Sequence, residues 1–153
     1  MLKRRYLGTL FLTLFLTIVG LSAGSAQADS AAYTLPYSGV LAMPQAQTRL
    51  DPAVRLFFGP QQFAPPTSWR HDYFVDRSGN ALFTSAESAC RSVLLDNLVT
   101  LQDRARAVGA NAVVNIVSDY SLSPRNDSDT YQCHVGNVTA SVSLKGTMVT
   151  LPD

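Results

Sequence analysis

Residues 85–120 read SAESACRSVLLDNLVTLQDRARAVGANAVVNIVSDY, and this stretch decides the fold. Cys90, Leu94, Leu98, Leu101, Ala105 and Val108 recur every three or four residues, the spacing of one apolar stripe on a helix. Arg91, Asp96, Asp103, Arg104 and Arg106 fall largely off that stripe. The spacing predicts a helix over 85–108. Thr84 and Glu87 stand at capping-box spacing at its start, and Gly109 sits where a left-handed residue would end it. The period then changes. Val113, Val114, Ile116 and Val117, with little charge among them, predict a strand over 112–120 buried on at least part of both faces.

Working outward, residues 121–129 are polar and read as a loop. Tyr131–Leu151 returns to strand chemistry: Val138, Ala140, Val142 and Leu144 alternate with Thr139, Ser141, Ser143 and Lys145, which leaves one face wet. Gly136 and Gly146 mark a turn or a bulge. Before the helix, Trp69–Val75 favours a strand, and the Asp76–Asn80 run has turn chemistry. Further back, Pro36, Pro44, Pro52, Pro60, Pro65 and Pro66 each remove a donor and fix φ, so no long helix or central strand is expected there. Short extended pieces fit at 38–42 and 54–58. The expected architecture is α+β, an antiparallel sheet packed against one long helix over 69–153, preceded by a Pro-rich irregular arm over 29–68.

The first 28 residues read as an export signal. Lys3, Arg4 and Arg5 precede an apolar run from Leu7 to Leu21, and Ala26-Gln27-Ala28 follows as a small-residue cleavage site. The apolar run is shorter than the roughly 20 residues that span a bilayer. Cleavage after Ala28 removes three basic residues and no acid, leaving 125 residues with nine basic and eleven acidic side chains. No second long apolar run follows, so no membrane span is expected in a mature periplasmic or secreted product.

Cys90 and Cys133 are then read in an oxidising compartment, where two thiols most simply form one disulfide. The rival reading, a thiolate metal site completed by His134, lacks the close cysteine pairs of zinc sites.

Charge and motifs exclude several functions. A near-neutral chain has no footprint for nucleic acid, and neither GxxxxGK[ST] nor GxGxxG occurs. After residue 28 no serine stands in a GxSxG context. The two histidines, His71 and His134, are weak metal candidates, with Asp72 and Asp129 as the nearest carboxylates in sequence. No catalytic residue and no cofactor is expected.

The run Gly109-Ala110-Asn111-Ala112-Val113-Val114 after a long helix, with Ser143-Leu144-Lys145-Gly146-Thr147-Met148-Val149 near the end, resembles the YbjQ-like family of small α+β domains, described as heavy-metal-binding. The same layout in an exported chain is similar to the RcsF-like sensor domains of outer-membrane lipoproteins. The resemblance covers about residues 84–150. It implies a sheet on a helix, a role in envelope maintenance or stress sensing, and a homo-oligomer as one arrangement. The lipid-attachment cysteine and a second disulfide of the RcsF-like domains have no counterpart here. The corner itself makes physical sense as a folding signature, with Gly109 supplying positive φ, small Ala110 and Ala112 packing close, and Asn111 placed to bond the last helical carbonyls. The expectation is an exported non-enzymatic module that works through a protein partner; the alternative is a periplasmic protein that binds a metal or a small ligand.

Overall fold

The sheet is organised around its last strand, Thr139–Thr150, and every other strand is hung from that strand's two edges. The computed structural model describes residues 30–152; the expected export signal and its expected cleavage after Ala28 lie outside the described residues. The elements in chain order are β1 (Ala31–Pro36), α1 (Tyr37–Leu41), α2 (Pro44–Arg49), β2 (Arg55–Phe58), β3 (Ser68–Asn80), α3 (Ala86–Ala107), β4 (Ala112–Tyr120), β5 (Ser123–Arg125), β6 (Thr130–Val135) and β7 (Thr139–Thr150). β3 runs antiparallel along one edge of β7 for its whole length. The other edge is shared by β6, beside Ala140 and Ser141, and β4, beside Leu144–Val149. β1 extends the sheet beyond β6 and β2 extends it beyond β4.

The sheet is mixed, not purely antiparallel. β2 pairs parallel with β4, Arg55 beside Ala112 and Leu56 beside Val113. A parallel pair needs a long crossover, and β3 together with α3 supplies it. That link between distant segments has no local signature.

Nor is the Pro-rich segment an irregular arm. It contributes two strands, two short helices and part of the core: Tyr37, Val40, Ala46, Val54 and Phe58 are all buried with the α3 stripe. Tyr37 packs on Phe58 at 4.1 Å between ring centroids and on Tyr131 at 5.5 Å. The stretch expected to be extended at 38–42 is helical, and Pro44 opens α2 at its first position, where a missing N–H costs nothing.

α3 lies across β3 and β7. Ser85, not Thr84, is its N-cap, its hydroxyl accepting from the Ser88 amide at 3.1 Å. Glu87 turns instead to Arg91 one turn on. At the other end Gly109, at φ +71°, donates to Arg106 O at 3.0 Å, and Ala110 donates to Ala105 O at 2.8 Å. This pair of bonds is a Schellman cap. Asn111 does not bond the helix; its amide and carbonyl clasp Leu151 O at 2.9 Å and Leu151 N at 2.7 Å, tying the corner to the end of β7.

Two buried polar residues of α3 had no signal in the apolar pattern. Asn97 donates to Val142 O at 2.7 Å, holding the helix to β7. Gln102 accepts from the Asp51 amide at 2.8 Å and donates to Asp51 O and Val54 O at 2.9 and 2.7 Å. These bonds anchor the Pro-rich segment to the helix, satisfying backbone groups that prolines leave out of any ladder.

The expected turn at 76–80 is strand throughout. Gly79 is there for proximity, since a Cβ on it would stand 2.7 Å from Val93 Cγ2. A third of the expected loop at 121–129 is also strand: β5 returns on β4 through Ser121-Leu122, both at positive φ (55° and 58°), as in a type I′ hairpin.

Candidate functional site

Cys90 on α3 and Cys133 on β6 form a disulfide, with Cα atoms 5.8 Å apart, and both residues are fully buried. It joins the covering helix to the half of the sheet that α3 otherwise touches least. With no exposed sulfur it acts as a brace, and the described chain holds no free cysteine.

The two histidines are not brought together. His71 sits at an irregularity in β3, between the paired residues Trp69 and Asp72. His134 lies on β6 beside Ser141. Thr147 neighbours Asp72 and Ser141 neighbours His134, and the six positions that separate them along β7 amount to roughly 20 Å. Among the described residues no three His, Cys, Asp or Glu side chains converge where a metal ion could be held. Asp72 is engaged elsewhere: it accepts from Lys145 at 2.8 Å and from Thr147 at 2.6 Å, and these bonds hold its carboxyl below the usual range. His134 stacks on Tyr120, centroids 3.6 Å apart and nearly parallel. Burial holds its imidazole below the ordinary value, and its buried Nε2 has no partner. Asp129, the remaining carboxylate candidate, gives its backbone carbonyl to Tyr37 N beside a cleft of about 230 Å³. Tyr37, Phe58, Gln61 and Thr130 also line that cleft, and no amine, imidazole or thiol does.

What the sequence did not announce is the full length of β3, which continues past the expected strand at Trp69–Val75 to Asn80, and its free edge. Its inner residues face α3: Arg104 lies over the Tyr73 ring at 5.0 Å, Val75 is buried in the core, and Arg77 donates to Thr100. Its outer residues lie on the opposite face, where Asp72 meets Thr147 and Asp76 accepts from Ser143 Oγ at 3.1 Å. β7 is its only strand neighbour among the described residues. The other edge is open along a strand of 13 residues, against a mean near 5–6. Trp69 and Phe74 on it are half exposed, at 55% and 45%. An open antiparallel edge of this length offers a row of unpaired N–H and C=O groups, the template for strand addition. The missed signal was the unbroken alternation through Tyr73, Val75 and Arg77, hidden by the turn-like composition of Ser78-Gly79-Asn80.

No helix among the described residues is long and apolar enough to cross a membrane. Comparison with protein-family models, with curated proteins and with solved structures finds nothing that matches this chain.

Proposed function

We propose that this chain is an exported, non-enzymatic module that acts through protein–protein contacts, with the free edge of β3 as its docking element. The open edge carries the reading, because an extended segment added there would gain main-chain hydrogen bonds along Asp72–Asn80, with Phe74 and Trp69 as apolar anchors. The buried disulfide fits a product of an oxidising compartment, as does the n-region, apolar run and Ala26-Gln27-Ala28 pattern at the start of the chain. The resemblance of residues 84–150 to YbjQ-like and RcsF-like domains supports a role in envelope maintenance or stress sensing. The non-catalytic reading is supported by His71 and His134 lying far apart, with His134 packed against an aromatic ring.

The test is affinity capture from envelope extract with the wild type and Phe74→Asp, which puts a charge mid-edge without touching the core. A partner held by the wild type and lost by the variant supports the edge. Equal recovery by both places the contact elsewhere.

A further inference from the structure

We propose that the occupant of the β3 edge is a second copy of this chain, added antiparallel about a two-fold axis through Val75. This rests on the docking reading above and specifies its partner. A two-fold axis perpendicular to the sheet keeps each face on its own side, so α3 and its symmetry mate both cover the same face. Residues directly opposite then share a face, and the axis must pass through a residue, not between two. The regular part of β3, from Asp72 to Asn80, limits the choices.

Charge and the length paired decide among them: like charges directly opposite destabilise a pair, and axes at Ser78 and Gly79 pair only five and three residues of that stretch. An axis at Phe74 sets Asp72 against the partner's Asp76, twice. An axis at Asp76 sets that carboxylate against itself, and one at Arg77 does the same for a guanidinium. An axis at Tyr73 runs into the irregularity at Arg70 and His71 after one further pair. An axis at Val75 pairs seven residues, 72–78, with no like charges opposite. Tyr73 then faces the partner's Arg77, an aromatic ring beside a cation. Phe74 faces the partner's Asp76, Asp72 faces the partner's Ser78, and Val75 faces its own mate. A second copy also explains why so long an edge carries neither Lys nor Pro between Asp72 and Asn80, the residues that usually blunt a free strand.

Ser78 reads the register without touching the core, because it is exposed and on the outer face. With the axis at Val75 it lies opposite the partner's Asp72. Ser78→Lys therefore creates two attractive pairs per dimer and Ser78→Asp two repulsive ones. With the axis at Phe74 Ser78 lies opposite the partner's Arg70 and both signs reverse. Sedimentation equilibrium of the oxidised, signal-free protein from about 1 µM to 1 mM should show a monomer–dimer equilibrium. Ser78→Lys should tighten it and Ser78→Asp weaken it, each by about tenfold at low salt and less at high salt. A wild type that stays monomeric throughout overturns the inference, as does a dimer that Ser78→Lys weakens or that neither variant alters. If the chain is monomeric yet Phe74→Asp still abolishes capture of an envelope protein, the second copy is refuted and the docking edge stands. If Phe74→Asp, which sets two carboxylates against the partner's Asp76, changes neither capture nor self-association, both fall.

Discussion

Breaking the Cys90–Cys133 bond frees a loop of 43 residues in the unfolded chain. Chain-entropy arithmetic for a loop of that size gives about 4 kcal/mol at 25 °C. For a domain of this length 1 kcal/mol moves the melting temperature by roughly 4 °C, so about 15 °C is at stake. The comparison that isolates the cross-link is wild type against itself, oxidised and reduced, because both sulfur atoms then stay in the core. Cys90→Ala/Cys133→Ala adds the loss of packed atoms and should melt lower still. Since both cysteines are fully buried, reductant should reach the bond only when the chain opens, and reduction at 25 °C should be slow without denaturant. Calorimetry after unfolding and refolding in reductant is the assay. A reduced protein that melts within about 3 °C of the oxidised one would refute the loop argument.

Three other outcomes follow from particular contacts. Gln102→Leu leaves the Asp51 amide and the Asp51 and Val54 carbonyls without their buried partner, so denaturant titration should show a loss of about 3 kcal/mol, with proteolysis first between residues 43 and 55. Gly79→Ala forces a methyl against Val93 and should cost about 1–3 kcal/mol, whereas a surface turn at that position would tolerate alanine. Burial lowers the proton affinity of His134 in the folded state, so the unfolded chain takes up that proton first as the medium is acidified. The resulting stability is fully present above about pH 6.5 and is lost on acidification until the folded-state value is passed. His134→Phe should keep the stack on Tyr120 and flatten the stability profile between pH 7 and 5; an unchanged acid slope would assign it to another group.

The sequence announces what is local. The α3 stripe, the Gly109 corner, β4 and the alternation of β7 each rest on residues a few positions apart, and all are found. The disulfide was legible for another reason, because two cysteines admit one pairing. The Pro-rich segment was misread because proline reports only a missing donor. It cannot report that Gln102, some fifty residues on, satisfies the backbone around Asp51. Gly79 was read as a turn because glycine serves both positive φ and close approach, and only the position of Val93 separates the two. Asn111 was assigned to the nearest carbonyls, while its partner, Leu151, is 40 residues away. The candidate site shows the same division: His71 and His134 stood out as residue types, but the open edge of β3 depends on what fails to pair with it.

Residue-resolved amide exchange along Asp72–Asn80 tests the docking edge most directly. At micromolar concentration the amides facing β7 should be protected and the alternate set facing outward should exchange within seconds. At concentrations where the mass doubles, that outward set should slow at least tenfold between Asp72 and Ser78. Outward amides already protected in the dilute monomer, or unchanged once the chain associates, would contradict a free β3 edge as the place where this protein makes its contacts.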